Sequence, residues 1–193
     1  MDAKLVGDAI ETLSLPGLWF ADLQAGVPRS PGLYAFHVAP DALDHVDWDL
    51  ATSTCLLYIG KAERSLRSRD VTTHFGTGKT GASTVRRSLA ALLSDDLDLR
   101  PRPRSDTGKL YAANFALEPD GDARLSAWMR EHLRLATWAS PSGVDLGEIE
   151  TAVLTRLQPP LNLDKVPQPS MMLTAKRRAL ADRVRAEFGA GRE

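Results

Sequence analysis

The stretch that decides the fold is Pro31-Gly32-Leu33-Tyr34-Ala35-Phe36-His37-Val38, followed further along by Cys55-Leu56-Leu57-Tyr58-Ile59-Gly60. Each is a short apolar run with a glycine or proline at one end, which is typical of a strand buried in a sheet. We predict strands over residues 33–38 and 54–59. They should pair antiparallel, joined by a long acidic loop at residues 39–53.

Helical periodicity surrounds this strand pair. Leu5, Ala9 and Leu13 lie on one side of a predicted amphipathic helix over residues 2–13. Further helices are predicted at residues 64–75, after Ser83, at residues 122–132, after Asp145 and at residues 172–188, with further strands at residues 110–118 and 133–139. The predicted fold class is therefore α/β of the α+β type, with a small, mostly antiparallel central sheet flanked by helices.

The composition is that of an ordinary globular protein. Apolar residues make up 43% and charged residues 25% of the 193 residues, which excludes a disordered chain. No apolar run is long enough to cross a bilayer and the first residues lack the basic head of a signal peptide, so we expect a cytoplasmic protein without membrane contact. The single cysteine, Cys55, excludes a disulfide framework within the monomer.

Charge is distributed unevenly along the chain. Residues 1–60 carry two basic and eight acidic side chains, a net charge of −6, whereas residues 61–87 carry seven basic and two acidic ones, a net charge of +5. A local basic patch is expected of a protein that binds phosphate backbones, and a solvated basic face is the alternative. The predicted nucleic-acid contacts are Arg64, Arg67, Lys79, Arg86 and Arg87, with residues 76–81 as a flexible contacting loop.

Four short motifs occur in a fixed order: Gly32-Leu33-Tyr34, Tyr58-Ile59-Gly60, Leu66-x-x-Arg69, and Glu150 nine residues before Pro159-Pro160-Leu161-Asn162. This ordered set resembles the GIY-YIG endonucleases. The resemblance implies metal-dependent hydrolysis of DNA phosphodiester bonds, of a restriction or structure-specific repair type, with RNA as the second candidate substrate. The alternatives are a nucleic-acid-binding module without turnover and a diverged enzyme that acts on another substrate.

The same resemblance implies a division of the chain. Residues 1–30 are a predicted N-terminal helical extension, residues 31–164 a GIY-YIG-like catalytic domain, and residues 165–193 a basic C-terminal helix packed on that domain. Residues 39–53 and 95–132 are predicted insertions into the catalytic domain. Target choice is not inherited from the family, because it would depend on these added segments or on a partner.

For catalysis, the resemblance implies that Tyr34 and Tyr58 face a common cleft, where one acts as general base with help from Lys61 or from a water molecule on the metal. The alternative for this pair is two core tyrosines. Arg69 would stabilise the charge of the transition state. Arg67 is its rival, because the interval from Lys61 to Arg69 is one residue longer than in relatives.

Another candidate is His74, which lies five residues after Arg69 where relatives have four. It would assist proton transfer or contact the phosphate, and a lone exposed histidine is the alternative.

Glu150 is the predicted metal ligand. One carboxylate with several waters suits Mg²⁺, for which Mn²⁺ should substitute. Glu148 is a rival that a capping box with Asp145 explains without a metal. Gly32, Gly60 and Asn162 are predicted to be structural at the site, Gly60 because a missing side chain lets a phosphate approach the backbone, and Asn162 because it fixes the loop after the Glu150 helix.

Overall fold

The computed structural model describes residues 2–44, 46, 55–105 and 109–190. Its contacts divide the chain into two units, Met1–Thr72 with Arg130–Ser170, and Thr73–Met129 with Met171–Glu193. The helices are α1 (Ala3–Ser14), α2 (Leu23–Gly26), α3 (Thr84–Leu92), α4 (Pro119–His132), α5 (Leu146–Leu157) and α6 (Met171–Phe188), with a π-helix at Ser68–His74. The strands are β1 (Leu18–Trp19), β2 (Gly32–Val38), β3 (Leu56–Ala62), β4 (Pro101–Arg102), β5 (Ala116–Leu117) and β6 (Leu133–Ala139).

The first unit is built on an antiparallel sheet with the strand order β1-β6-β2-β3. The central strand β2 pairs with β6 on one side and with β3 on the other. The predicted antiparallel pair and the α+β class are therefore confirmed. Position 54, the predicted start of the second strand, and positions 45 and 47–53 of the predicted loop insertion lie outside the described residues.

One face of this sheet carries the core of the first unit. Leu33 and Ala35 of β2 and Ile59 of β3 are fully buried, in one cluster with Leu13 of α1 and Val153 of α5. Side chains alternate between the faces of a strand, so this burial directs Tyr34, Phe36 and Tyr58 to the opposite face. Burial of each large aliphatic side chain contributes about 1.5–3 kcal/mol, which makes the strand pair a firm support for that opposite face.

The second unit consists of α3, α6, most of α4 and the short ladder of β4 with β5. Ser83 caps α3 as predicted, since its side chain accepts a hydrogen bond from Arg86 N. The predicted strand at residues 110–118 is wrong for most of its length, because Ala112–Asn114 forms a 3₁₀ turn and only Ala116–Leu117 is paired. The contacts of the chain group α6 with residues 73–129. The domain boundaries predicted at residues 30 and 164 stay a prediction.

No helix among the described residues combines the length and the apolar character that crossing a bilayer requires.

Candidate active site

Tyr34 and Tyr58 lie on the same face of the β2–β3 pair. The register places Tyr34 opposite Gly60 and Phe36 opposite Tyr58. The centroids of the two phenol rings are 6.2 Å apart, and the rings are inclined by 34°. Tyr34 is 1% exposed, whereas Tyr58 is half-buried. Tyr58 is therefore the more accessible of the two phenols.

The two glycines of the motifs make room for side chains of the protein itself. A Cβ atom at Gly60 would collide with the hydroxyl of Tyr34. The sequence predicted that this gap admits a phosphate; the structure corrects the reason, because the Tyr34 phenol fills the gap. A Cβ atom at Gly32 would collide with a carbonyl of β6 and lie 2.8 Å from Cδ1 of Leu66.

Asn162 completes the open edge of β3. Its Oδ1 accepts a hydrogen bond from Ile59 N at 2.9 Å, and its Nδ2 donates to Ile59 O at 2.8 Å. Leu161 N also donates to Leu57 O at 2.9 Å. The segment after α5 therefore satisfies backbone groups that an edge strand would otherwise leave unpaired, and it holds β3 at the position of Tyr58.

Arg69 is the second residue of the π-helix. Upstream, the buried Leu66 donates its N–H to Ser30 O at 3.0 Å, which fixes the approach to this helix. Nε of Arg69 is buried and, like Nε of Arg87 and of Arg134, has no hydrogen-bond partner among the described residues. Because a buried unsatisfied donor costs about 1–3 kcal/mol, a ligand that accepts a hydrogen bond from this guanidinium would be favoured there.

Lys61, near the end of β3, is surrounded by carboxylates. Its Nζ lies 2.9 Å from Glu63 Oε1. This hydrogen bond is the largest cause that raises the pKa of Lys61; burial acts in the opposite direction, and the negative charges of Glu150, Glu63 and Asp145 raise it further. Lys61 therefore stays protonated at neutral pH, as a cation for a phosphate rather than a proton acceptor.

A cavity of about 460 Å³ opens beside Lys61. Its walls come from the segment before β2, the end of β3 and residues 140–147, which lead into α5. Asp145 in this wall is the N-cap of α5, and its side chain accepts hydrogen bonds from Gly147 N at 2.8 Å and Glu148 N at 3.2 Å. The N-cap half of the predicted capping box is confirmed, and Asp145 begins the helix that carries Glu150.

Glu150 is 8% exposed and forms an ion pair that the sequence did not predict. Its Oε2 lies 2.6 Å from Nζ of Lys165. Lys165 has a left-handed backbone conformation with φ 60°, which is uncommon for a residue other than glycine. The rival carboxylate Glu148 is exposed at the first turn of α5.

The donor set fits a weakly caged divalent cation rather than a closed metal site. Within the described part of the chain, no group of three histidine, cysteine, aspartate or glutamate side chains could hold a metal ion. Mg²⁺ keeps several waters and takes one or two carboxylates, so Glu150 alone is chemically sufficient. Lys165 occupies an oxygen of that carboxylate, and any cation would compete with it.

His74 belongs to the second unit and is fully buried. Its Nδ1 lies 2.7 Å from Oγ of Ser83. The alternative of an exposed histidine is therefore wrong. A role for His74 in proton transfer stays a prediction, whereas a direct contact with a phosphate would need surface that the ring does not have.

Arg86 is corrected from a nucleic-acid contact to a structural residue. Its guanidinium is 0% exposed, and its Nη2 lies 2.8 Å from Oδ2 of Asp122 and 2.9 Å from Oγ of Ser126. Its Nε donates to Thr80 Oγ1 at 3.1 Å. Asp122 also accepts hydrogen bonds from Gly78 N and Thr80 Oγ1, so the loop predicted to be flexible is anchored to α4.

Arg87 needs the same correction, because it is 8% exposed and its Nη1 donates to Gly81 O at 2.9 Å. Arg64 and Lys79 are exposed and Arg67 is half-buried, so these three keep surface that could contact a phosphate. Their binding role stays a prediction.

Two partners of predicted site residues carried no sequence signal. Lys165 follows no recognisable motif, and its contact with Glu150 arises from the chain path after α5. Asp122 lies in a predicted insertion, where a first-turn helix carboxylate is ordinary. Glu63 could have been suspected, since it follows Lys61 at the same strand end by two positions.

Comparison with protein families supports the arrangement of motifs on this fold. Residues 32–187 match the GIY-YIG catalytic domain. The match includes most of α6, which the sequence analysis placed outside the catalytic domain. No curated protein and no solved structure matches the chain. Since the family match covers most of its length, the chain belongs to the GIY-YIG catalytic-domain family.

Proposed function

We propose that this protein is a metal-dependent endonuclease that hydrolyses DNA phosphodiester bonds, of a restriction or structure-specific repair type. Membership of a nuclease family supports hydrolysis of nucleic acid. The observation that carries the proposal is that the buried Nε of Arg69, which lacks a hydrogen-bond partner among the described residues, belongs to the Leu-x-x-Arg motif; Nε of Arg87 and of Arg134 also lack one but lie outside the motif. A phosphate oxygen is the acceptor that such a donor suits best, because the resulting hydrogen bond is charge-assisted.

In the proposed reaction, the oxygen of a water molecule forms a bond to phosphorus while the bond from phosphorus to the leaving oxygen breaks. The water gives a proton to a base, and the leaving oxygen takes up a proton. Tyr58 is the better candidate for this base, since Tyr34 is 1% exposed. A free phenol has a pKa of about 10, so nearby positive charge would have to favour its ionised form.

Arg69 and Lys61 would supply that positive charge. Arg69 offers a permanently charged planar group for the equatorial oxygens of the phosphorus, where charge is spread in the transition state. Lys61 stays protonated because Glu63, Glu150 and Asp145 raise its pKa. It would therefore hold the substrate electrostatically and leave proton abstraction to the phenol.

Glu150 would hold the divalent cation, Mg²⁺ or Mn²⁺. When bound, the cation would neutralise charge that develops on phosphoryl oxygens. The side chain of Lys165 would have to leave Glu150 Oε2, from which it is now 2.6 Å away. The affinity of Glu150 for the cation would therefore depend on how strongly Lys165 pairs with the same carboxylate.

The same ion pair favours the second candidate, a nucleic-acid-binding module without turnover. A carboxylate neutralised by lysine is a poorer cation ligand, and a protein that keeps this pair would bind DNA without cutting it. Incubation of supercoiled plasmid, branched DNA and RNA with Mg²⁺, Mn²⁺ or EDTA separates the two candidates.

The decisive variants are Glu150→Gln, Arg69→Ala and the matched control Arg67→Ala, which removes a neighbouring arginine two residues away. The proposal expects cleavage in Mg²⁺ and Mn²⁺, none in EDTA, and loss of cleavage in Glu150→Gln and Arg69→Ala with DNA binding partly retained. The cleavage rate of Arg67→Ala should fall far less than that of Arg69→Ala. Binding of every substrate without cleavage would overturn the proposal, and loss in Arg67→Ala alone would move the catalytic role to Arg67.

A further inference from the structure

A second basic surface lies in the second unit, outside the candidate active site. It consists of Arg104, Lys109, Tyr111 and Asn114, which line a cavity of about 290 Å³. Tyr111 is 63% exposed. Every other phenylalanine, tyrosine and tryptophan among the described residues is buried or half-buried. A single exposed ring is common on protein surfaces, but this one lines a cavity together with the cations Arg104 and Lys109. An aromatic surface beside positive charge suits a ligand that carries both a planar ring and a phosphate.

A lysine ammonium lies over one face of the Tyr111 ring. Nζ of Lys109 lies 5.8 Å from the centroid of that ring. The cation–π contact places a positive charge directly beside a flat aromatic surface. A planar base that stacks on the opposite face of the ring would bring its phosphate within reach of this ammonium.

Arg104 extends the positive charge toward the loop at residues 76–81. Its side-chain stem lies against Gly81, where an added Cβ would come within 2.9 Å of Arg104 Cγ. Lys79, exposed in the same loop, adds a further cation. The loop keeps its shape because Asp122 accepts hydrogen bonds from Gly78 N and Thr80 Oγ1.

We propose that this cavity binds an unpaired nucleotide of a single strand, with the base stacked on Tyr111 and the adjoining phosphates paired with Lys109 and Arg104. The combination of an exposed aromatic ring with a positively charged groove is the recognition chemistry of single-stranded nucleic acid. The exposed Asn114 amide offers one donor group and one acceptor to a base edge. The inference rests on the proposed function in one respect, that the partner is nucleic acid. It would direct the enzyme to frayed, branched or gapped DNA.

The test is fluorescence anisotropy of a labelled oligothymidylate and of a duplex of matched length, titrated with the full-length protein in EDTA so that no cleavage occurs. Tyr111→Ala should weaken single-strand binding by about 5- to 150-fold and leave duplex binding unchanged, because duplex bases are already stacked. Tyr111→Phe should restore binding. Lys109→Gln should lower the slope of log Kd against log salt by about 1, which Tyr111→Ala should not do.

Met171→Ala is the matched control, since Met171 is an apolar side chain that is 79% exposed and does not line this cavity. Wild-type affinity of Tyr111→Ala for the single strand, or an equal loss for the duplex, would overturn the inference. Equal competition by polyglutamate would also overturn it, because a general anion site would not need a base.

The two proposals fail separately in this design. Cleavage of plasmid in Mg²⁺ without any effect of Tyr111→Ala would end the inference and leave the endonuclease proposal standing. Tyr111-dependent binding without cleavage of any substrate would do the reverse.

Discussion

Arg69 and Arg86 come from the same basic stretch of the sequence, yet the structure treats them differently. Arg86, in the second unit, is 0% exposed, and Asp122, Ser126 and Thr80 accept hydrogen bonds from its guanidinium. Arg69, in the first unit, is half-buried, and among the described residues its buried Nε has no partner. The donors of Arg86 are used within the protein, whereas Arg69 keeps one donor that a ligand could use.

This difference separates two reasons for an arginine to be buried. A guanidinium whose donors are satisfied within the protein contributes to folding, and its removal leaves a buried partner charge. A guanidinium with an unsatisfied buried donor is destabilising to the free protein, and a ligand that accepts a hydrogen bond from that donor offsets part of the penalty. Substitution of Arg86 should therefore lower the free energy of unfolding. Substitution of Arg69 should lower the cleavage rate and leave the free energy of unfolding nearly unchanged.

The largest effect on stability is expected for Arg86→Ala. Removal of the guanidinium leaves the carboxylate of Asp122, which is 2% exposed, without its charge partner. The free energy of unfolding should fall by about 3–5 kcal/mol, as urea denaturation would show. The control Arg178→Ala, whose side chain is 81% exposed, should change it by less than about 0.5 kcal/mol. Equal effects of the two substitutions would contradict the structural role of Arg86.

A smaller loss of stability is expected for Asn162→Ala. Two hydrogen bonds to the backbone of Ile59 disappear, and the buried amide and carbonyl of β3 lose their partners. The free energy of unfolding should fall by about 1–3 kcal/mol. Hydrogen exchange of the Ile59 amide should become faster in the folded protein. The control Asn114→Ala should leave that exchange rate unchanged. An unchanged exchange rate would show that Asn162 does not hold β3.

Lys165→Met should increase the affinity for Mn²⁺, because it removes the cation that competes for Glu150 Oε2. A partly exposed ion pair is worth up to about 1 kcal/mol, so the gain should not exceed about fivefold. Isothermal titration calorimetry measures it without reference to cleavage. Lys79→Met is the control, and Glu150→Gln should abolish the binding. A weaker affinity in Lys165→Met would mean that the lysine supports the cation site.

The smallest effect is a dependence of stability on pH through His37. Its pKa lies below the ordinary value of 6.5, chiefly because burial disfavours the charged ring; the hydrogen bond to Leu13 O acts in the opposite direction, and Arg134 lowers the pKa further. The folded state therefore favours neutral His37, and stability is lost as the pH falls below about 6.5 toward the lowered pKa.

His37→Gln keeps a donor for Leu13 O, which the Nε2 atom of His37 contacts at 2.9 Å. Between pH 8 and pH 5, this variant should lose less free energy of unfolding than the wild type. Parallel curves for the two proteins would exclude His37 as the source of the dependence.

The sequence predicted the fold where periodicity and turn residues act locally. The predicted strand at residues 133–139 is observed as Leu133–Ala139, and the predicted start of the Glu150 helix is confirmed by the Asp145 cap. The strand predicted at residues 110–118 is wrong for most of its length. Ala112–Asn114 forms a 3₁₀ turn, and the ladder with β4 takes in two residues, Ala116–Leu117. Tertiary packing overrode a weak local preference there.

The site was less predictable, because its contacts join residues far apart in sequence. Charge counting placed Arg86 and Arg87 on the surface, and only the position of Asp122, in another helix, shows that Arg86 is buried and paired. Likewise, Glu150 was assigned from a motif, but its partner Lys165 depends on the chain path after α5. The spacing of five residues from Arg69 to His74 falls within the π-helix, which pairs residues five apart and accommodates one extra residue.

The central claim is that Arg69 is held for a ligand rather than for the fold, and single-turnover cleavage by Arg69→Ala, with its free energy of unfolding measured on the same sample, tests it most directly. The account predicts a rate lower by about 10²–10³-fold, the usual loss when one transition-state donor is removed, with stability within about 1 kcal/mol of wild type. A wild-type cleavage rate, or a loss of several kcal/mol of stability that explains the lower rate, would contradict it.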